Sequence, residues 1–242
     1  MSVPSSLDLV REVNLELSEK QARQLACLLD VLEGDEHAPT AVHERARAAK
    51  AHIADSLVGL EVEAVAKAET IADVGSGAGF PGLPLAVALP GADVRLVESQ
   101  RRACEFIERT CTAAGVANAH AVRARAEGWR EGVRAHDAVL ARALAPQPVV
   151  LEYAAPLLRP GGALVDWRGR RSREEEEAAR AAAAQLGLEL REIRRVTPFG
   201  GARERHLHVF AKVAETPARF PRRAGVARKR PIASVASDRG RG

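Results

Sequence analysis

A short run with three alternating glycines has the clearest chemical potential in this sequence. Residues 71–82 read Ile-Ala-Asp-Val-Gly-Ser-Gly-Ala-Gly-Phe-Pro-Gly, so that Gly75, Gly77 and Gly79 follow an apolar stretch that contains Asp73. Glycine has no Cβ, and a loop of this kind takes positive φ values and lets a ligand approach the backbone closely. The apolar stretch predicts a strand, and the proline after the loop suits the start of a helix whose free N–H groups point at the ligand.

A second acid lies where a nucleotide ligand would need it. Glu98 ends a second predicted buried strand, Asp-Val-Arg-Leu-Val-Glu at residues 93–98, about 20 residues after the loop. This is the place at which nucleotide-binding folds bind ribose hydroxyls. The spacing G-x-G-x-G differs from the dinucleotide pattern G-x-G-x-x-G, which disfavours a nicotinamide dehydrogenase. It is nearer to the first motif of methyltransferases that use S-adenosylmethionine (SAM). We therefore predict SAM as the cofactor and Glu98 as its ribose ligand; a glycine loop that only serves packing is the alternative.

Another group of polar residues is ambiguous on spacing alone. His52, Asp55 and Ser56 stand at positions i, i+3 and i+4 and so share one face of a helix. Such a triplet is more often a solvated face or a local hydrogen-bond cluster than a functional site. The spacing by itself favours that interpretation.

Cysteine usage and hydropathy limit the class of protein. The three cysteines, Cys27, Cys104 and Cys111, form neither a metal-ligand motif nor an even-numbered disulfide framework, which favours a cytoplasmic protein without a bound metal. The N-terminus carries charges where a signal peptide needs an apolar run, and no stretch approaches the roughly 20 apolar residues that cross a bilayer. We predict a soluble protein without a membrane partner, and expect a monomer.

Basic charge is concentrated at the C-terminus. From residue 217 onward the chain has eight Arg or Lys residues and one acid, whereas the whole chain has a net charge of only +4. A cationic end that contains Gly, Pro and Ser is expected to be mobile, and attraction to phosphate is a natural use for it. A solvated, solubilising end is the alternative.

Strands and helices alternate after a helical N-terminal segment. At 242 residues the chain can bury one substantial core with extensions. We predict a helical cap over residues 1–65, a SAM-binding domain over 66–215 and a basic tail over 216–242. In the cap, Ser18 and Gln21 predict a capping box before one amphipathic helix, and residues 46–60 predict another. Strands are predicted at 71–74, 93–98, 119–126, 136–144, 163–167, 187–195 and 206–213.

The order of these elements predicts an α/β fold with a doubly wound, mostly parallel, Rossmann-like seven-stranded sheet and an antiparallel hairpin at one edge. Ligands of such sheets lie over the carboxyl ends of the strands, beside the first strand. Gly75, Glu98, the Ala126-Glu127 pair and Arg142 all follow or end predicted strands. We therefore expect them around one crevice.

Several sequence blocks resemble the bacterial 16S rRNA guanine-N7 methyltransferases, the RsmG family, formerly called glucose-inhibited division protein B. The first block, Asp-Val-Gly-Ser-Gly-Ala-Gly-Phe-Pro-Gly-Leu-Pro at residues 73–84, is unusual among methyltransferases in its continuation after the glycines. Further matching blocks are His-Ile-Ala-Asp-Ser-Leu at 52–57, Arg-Ala-Glu at 125–127, Ala-Arg-Ala at 141–143, Leu-Arg-Pro-Gly-Gly at 158–162 and Arg-Phe-Pro-Arg-Arg-Ala-Gly at 219–225.

This resemblance implies a class I SAM methyltransferase that modifies N7 of a guanine in 16S rRNA, with the rRNA or the small ribosomal subunit as partner. It implies that Gly75 and Phe80 contact SAM, that Ala126 and Glu127 hold the adenine region, and that Arg142 lies beside the methionine end. The sequence departs from the family where Ala-Pro-Thr-Ala at 38–41 replaces Asn-Leu-Thr, and where an Arg-Gly pair at 168–169 replaces Lys-Gly.

Methylation of guanine N7 needs no residue to remove a proton, because N7 already presents a lone pair. Positioning and electrostatics can therefore supply most of the rate. We expect Arg142 to orient the methionine carboxylate or nearby RNA, and His52, Asp55 and Arg168 to shape the base pocket. A SAM enzyme that acts on a small molecule or a protein is the first alternative. A non-catalytic RNA-binding factor that keeps the SAM fold is the second.

Overall fold

The computed structural model describes residues 5–11, 16–202 and 204–232. Among them, the N-terminal segment contributes the helices α1 (Ser6–Arg11), α2 (Glu19–Gly34), α3 (Arg45–Ala48), α4 (Asp55–Leu57) and α5 (Glu63–Ala66). A π-helix, Ala49–Ala54, lies between α3 and α4, and a 3-10 turn, Val58–Glu61, follows α4. The chain continues as β1 (Thr70–Val74), α6 (Gly82–Ala88), β2 (Asp93–Glu98), α7 (Arg101–Ala114), β3 (Ala119–Arg123), a 3-10 turn (Ala126–Gly128), β4 (His136–Arg142), α8 (Gln147–Ala154), β5 (Leu158–Arg168), α9 (Arg173–Leu186), β6 (Leu188–Arg195), β7 (His206–Lys212) and α10 (Val226–Lys229).

The seven strands form one sheet in the order β3-β2-β1-β4-β5-β7-β6. Strands β1 to β5 run parallel, and β7 is antiparallel to both β5 and β6. The predicted doubly wound sheet with an antiparallel hairpin is confirmed. The sequence alone did not tell which strand of the hairpin joins the sheet, and the structure places β7 between β5 and β6.

Alternate residues of the central strands face opposite layers of helices. In β1, Ile71 belongs to the hydrophobic cluster that includes α2, α6 and α7, whereas Ala72 and Val74 belong to the cluster that includes α8 and α9. A strand buried on both faces is predominantly apolar, which is why β1 is apolar apart from Thr70 and Asp73 and why the centre of β4, residues 138–141, is apolar throughout. This arrangement leaves the carboxyl ends of the strands as the edge at which polar loops meet.

The N-terminal helices pack on one face of the sheet domain. Helix α2 begins with the predicted capping box, in which the Gln21 N–H donates to Ser18 Oγ at 3.3 Å and the Ser18 N–H donates to Gln21 Oε1 at 2.9 Å. Residues 45–61 are helical, as predicted for 46–60, but they form successive α, π, α and 3-10 turns and not one regular α-helix. The wider π turn at Ala49–Ala54 and the tighter turns after it rotate the side chains away from simple helical spacing, and His52, Asp55 and Ser56 are all buried.

Residues 216–232 of the basic tail fold back on the sheet domain. The sequence predicts a mobile segment there. The Arg222 Nε atom donates to Glu152 Oε1 at 2.9 Å, and the Glu152 side chain is only 1 % exposed. Ala227 and Ile232 are also buried. A buried carboxylate needs a charged, hydrogen-bonded partner. For Glu152 that partner is Arg222, which lies 70 residues further along the chain. The rest of the predicted tail, 233–242, lies outside the described residues.

Candidate active site

The glycine loop leaves the carboxyl end of β1 and turns beside β2. Gly75 and Gly77 have φ values of +69° and +56°, a region that side chains with a Cβ rarely adopt. The Gly75 N–H donates to the Val97 carbonyl at 2.8 Å, and a Cβ at Gly75 would stand 2.4 Å from Leu144 Cδ1. The backbone conformation therefore favours glycine at position 75, and any other residue there would also displace the Leu144 side chain.

Glu98, at the end of β2, is fixed against this loop. Its Oε2 accepts from the Gly77 N–H at 3.2 Å, and its Oε1 accepts from the Gln100 N–H at 2.8 Å. A carboxylate oxygen has lone pairs for more than one donor. Glu98 therefore has acceptor capacity left for hydroxyl groups of a ligand.

Four of the predicted cofactor residues, Gly75, Glu98, Ala126 and Glu127, line one cavity of about 280 Å³ over the strand ends. The sequence reasoning missed Tyr153 and Arg228, which line the same cavity. Tyr153 lies on α8 and Arg228 on α10. No local pattern assigns either of them to a cofactor site.

The folded C-terminal segment forms one wall of this first cavity. The Gly225 N–H donates to Glu127 Oε1 at 3.1 Å, and Arg228 Nη2 donates to the Leu144 carbonyl at 3.1 Å. Glu127 is thus held by a segment about 100 residues further along the chain, and the Arg222–Glu152 pair anchors that segment.

A second cavity of about 420 Å³ adjoins the first, and Ala143 lines both. The second cavity combines residues of the π-helix and α4 with residues at the ends of β4, β5 and β7. Its lining consists of Ala51, His52, Asp55, Arg142, Ala143, Trp167, Arg168, Gly169 and Arg205. The structure thus brings His52, Asp55, Arg142 and Arg168 together as predicted, but beside the glycine-loop cavity and not within it.

Arg142 is held from the N-terminal segment. Its Nη1 atom donates to the Ala51 carbonyl and to Asp55 Oδ2, each at 3.0 Å, and its Nη2 atom lies 3.3 Å from His52 Nδ1. The other oxygen of Asp55 accepts from Arg205 Nε at 3.2 Å. Asp55 therefore joins two arginines that come from distant parts of the chain.

His52 is neutral in this site. Burial and then the charge of Arg142 lower the pKa of His52 to about 4. Because Arg142 is a donor only, His52 Nδ1 must accept from it, which leaves the proton on Nε2 to be donated to Thr40 Oγ1 at 3.0 Å. His52 is thus set up to position Arg142 and not to transfer protons near neutral pH.

The ring of Phe80 packs against the imidazole of His52. The two rings are stacked, with centroids 4.4 Å apart and an interplanar angle of 11°. Phe80 is buried and does not line the first cavity, and neither does Gly77, whose N–H is taken by Glu98. Contact of Phe80 and Gly77 with the cofactor stays a prediction.

Two buried polar atoms beside the glycine loop have no partner in the described part of the chain: Asp73 Oδ1 and Ser76 Oγ. The other Asp73 oxygen accepts from the Gly82 N–H at 2.8 Å. Burial raises the pKa of Asp73 to about 7, although the Gly82 N–H and Arg142 favour the ionised form. Buried polar atoms ordinarily have hydrogen-bond partners, so these two atoms fit the polar amino-acid end of SAM.

Arg168, at the end of β5, also lines the second cavity. Its Nη1 atom donates to the Ala145 carbonyl at 3.1 Å, and its Nε atom lies 3.7 Å from Asp166 Oδ2. Asp166 is itself buried and accepts from Gln147 Nε2 at 2.8 Å. Arg168 is thereby held by β5 and by the start of α8.

The fold has known counterparts among methyltransferases. The apo structure of the SAM-dependent methyltransferase SibL aligns over 86 % of this chain and 74 % of its own, with a TM-score of 0.56 and 16 % identity. The antibiotic-resistance methyltransferase Kmr aligns over 61 % of this chain and 88 % of its own, with a TM-score of 0.51 and 20 % identity. The fold is therefore that of the class I SAM methyltransferases.

The family is equally clear from sequence. Residues 19–207 match the family model described as rRNA small subunit methyltransferase G. The ribosomal RNA small subunit methyltransferase G of Rubrobacter xylanophilus is 41 % identical over 75 % of this chain and 72 % of its own length. That of Desulfitobacterium hafniense is 33 % identical over 92 % of this chain and 94 % of its own. The chain belongs to this family of rRNA methyltransferases, which confirms the resemblance drawn from its motifs.

None of the helices within residues 5–11, 16–202 and 204–232 has the length together with the hydropathy that a bilayer-spanning segment needs.

Proposed function

We propose that this protein methylates N7 of a guanine in the 16S rRNA of the small ribosomal subunit. Two adjoining cavities that share Ala143 carry the proposal. The first, with the glycine loop and Glu98, suits the adenosyl part of SAM. The second, with its arginines and Asp55, suits a base of the RNA. Their junction is where a donor and an acceptor of the methyl group would meet.

The residues of the first cavity suit the parts of SAM. Glu98 would accept from the ribose hydroxyls, and Ala126 with Glu127 would contact the adenine region. Asp73 and Ser76 lie beside the glycine loop and do not line the cavity, but their unpartnered buried oxygens would receive the amino-acid end. Arg142, which lines the second cavity next to Ala143, would face the carboxylate of that end. When bound, SAM supplies a methyl group on a sulfonium sulfur, and the S–C bond breaks as the N7 lone pair forms the new N–C bond.

The chain's own part in this reaction is to position and to balance charge. N7 has no proton to lose, which agrees with a neutral His52 that already accepts from Arg142. Methylation leaves the purine with a positive charge. The carboxylate of Asp55, 9 % exposed and fixed by two arginines, would stabilise the positive charge that spreads over the purine.

The RNA would be held by cations around the cavities. Arg223, Lys229 and Arg230 are exposed on the folded part of the basic tail, and Arg205 borders the second cavity. Phosphate contacts by such residues supply most of the sequence-independent affinity for nucleic acids.

We further infer that the protein works as a monomer in the cytoplasm, where ribosomal subunits assemble. Sedimentation of the free protein tests the monomeric state.

The test is methyl transfer from tritiated SAM to small ribosomal subunits taken from cells that lack this gene, followed by nucleoside analysis. We expect label in 7-methylguanosine of 16S rRNA and none in subunits from cells that have the gene. Free metabolites and protein fractions are the comparison substrates. Label in those alone would favour a small-molecule or protein methyltransferase, and failure to bind SAM would favour a non-catalytic RNA-binding factor.

A further inference from the structure

The second cavity has many hydrogen-bond donors and few free acceptors among its side chains. Arg142, Arg168 and Arg205 are donors only. His52 has both ring nitrogens engaged, by Thr40 and Arg142. Among the described residues that line this cavity, Asp55 supplies the one carboxylate.

Asp55 is fixed in place from several directions. Its backbone carbonyl accepts from Trp167 Nε1 at 2.8 Å, and each carboxylate oxygen accepts one N–H, from Arg142 at 3.0 Å and from Arg205 at 3.2 Å. Both oxygens therefore already bind the N–H groups of guanidinium units. A carboxylate with two oxygens has about four lone-pair sites, so each oxygen can accept a further donor.

Guanine carries the same donor arrangement. Its N1, C2 and N2 atoms form a guanidine unit that presents two parallel N–H groups, as the fork of an arginine does to a carboxylate. Adenine offers an acceptor at N1, cytosine an acceptor at N3, and uracil a single N–H between two carbonyl groups. A carboxylate facing the Watson–Crick edge therefore selects guanine over the other three bases.

We propose that Asp55 is the residue that reads the target base, by accepting from N1–H and N2–H of the guanine. This inference rests on the proposed function and assigns the specificity of its second cavity. The Watson–Crick edge lies across the base from N7. A guanine held at Asp55 by that edge therefore directs N7 away from Asp55 and leaves it free for methyl transfer.

The two arginines differ in how firmly they hold Asp55. The Arg142 side chain is 16 % exposed and has two further partners, Ala51 and His52, whereas the Arg205 side chain is 40 % exposed. Arg205 is thus the partner that can be released, and an RNA phosphate is the natural new partner for an exposed guanidinium. In this arrangement Arg205 covers Asp55 Oδ1 in the free protein and uncovers it when RNA binds.

The experiment compares small subunits that carry guanosine or inosine at the methylated position, once that position is mapped. Inosine keeps N7, O6 and N1–H but lacks the N2 amine. Methyl transfer from tritiated SAM is measured with the wild type, with Asp55→Asn and with the control Asp93→Asn. The control removes an acid at the start of β2, at the other end of that strand from Glu98. SAM affinity, measured by calorimetry, reports whether each variant is folded.

We expect the wild type and Asp93→Asn to prefer guanosine by roughly 10- to 100-fold in kcat/KM, the effect of one hydrogen bond to a charged group. For Asp55→Asn the preference should fall to within about threefold, because the amide keeps a single acceptor oxygen and cannot accept from both N1–H and N2–H of guanine. Equal rates of the wild type on the two substrates would overturn the inference while the proposed function stands. So would a loss in Asp55→Asn that is the same for both substrates, since a purely structural role predicts it. A wild type that methylates neither substrate would refute the proposed function itself.

Discussion

The imidazole of His52 is stacked on the ring of Phe80, with 4.4 Å between the ring centroids. His52 belongs to the N-terminal π-helix and Phe80 to the loop that follows β1, so this contact joins the helical segment to the glycine loop. Arg142 also lies beside Phe80, with its guanidinium carbon 5.9 Å from the Phe80 ring centroid. The N-terminal segment is therefore part of the candidate active site and not only a cover for the sheet.

His52 should give the protein a measurable pH dependence of stability. Its folded pKa of about 4 lies below the ordinary value of 6.5, so between these values the unfolded chain binds more protons than the folded one. The stabilising effect of neutral His52 is therefore full above pH 6.5 and is lost as the pH falls toward 4. We expect the difference in unfolding free energy between the wild type and His52→Asn to shrink by about 2 to 3 kcal/mol from pH 7 to pH 4.

Urea unfolding at a series of pH values measures this difference. The control is His120→Asn, which replaces an exposed histidine on β3. A difference between wild type and His52→Asn that is constant over this pH range would contradict a neutral, buried His52.

Loss of the Glu98 carboxylate should weaken SAM binding. Glu98 is held by the N–H groups of Gly77 and Gln100 at the wall of the first cavity, and hydrogen bonds to a charged group contribute about 1.5 to 3 kcal/mol. Calorimetry should show SAM affinity about 10- to 100-fold lower for Glu98→Ala. The matched control Glu105→Ala removes an exposed acid from α7. Undiminished affinity in Glu98→Ala would remove Glu98 from the cofactor site.

Breaking the Arg222–Glu152 pair should affect the cofactor site from a distance. In Arg222→Ala the Glu152 carboxylate stays buried without its partner, which typically costs about 3 to 5 kcal/mol, and release of residues 219–230 would lower that cost. We expect faster proteolysis within this segment and weaker SAM binding, because Glu127 and Arg228 lose their places in the cavity wall. Arg223→Ala removes the same charge from an exposed position and should leave both measurements unchanged.

If Arg222→Ala binds SAM as the wild type does and resists protease equally, the folded C-terminal segment has no part in the cofactor site.

RNA affinity should depend on the exposed cations of the C-terminal segment. Each lost phosphate contact reduces the slope of log affinity against log salt by about 0.7 to 0.9. We therefore expect the combined replacement of Arg223, Lys229 and Arg230 by Ala to reduce that slope by about 2 in filter-binding titrations with 16S rRNA. Lys67→Ala, an exposed cation just before β1 at the far end of the sheet, is the control. An unchanged slope in the triple variant would refute the role of this segment in RNA binding.

The parts of the fold that depend on local pattern could be predicted from the sequence. The strands β1, β2 and β4 and the capping box at Ser18 each follow from neighbouring residues. Strand ends in a parallel sheet meet at one edge, so Gly75 and Glu98 could be placed together from their positions alone.

The parts of the fold that depend on contacts between distant residues could not be predicted from the sequence. No spacing rule pairs Arg222 with Glu152, or brings Arg205 to Asp55 across 150 residues. The π-helix was also beyond a helical-spacing argument, which assumes 3.6 residues per turn. The division of the site into two cavities depends on these contacts, and the sequence therefore indicated one crevice where the structure has two adjoining ones.

A crystal structure of the protein with S-adenosylhomocysteine, the product form of SAM, tests the two-cavity account most directly. We expect the ribose hydroxyls within hydrogen-bond distance of Glu98, the adenine beside Ala126 and the sulfur next to Ala143, with the second cavity open toward it. A ligand whose ribose lies away from Glu98, or whose sulfur points away from the second cavity, would contradict the account.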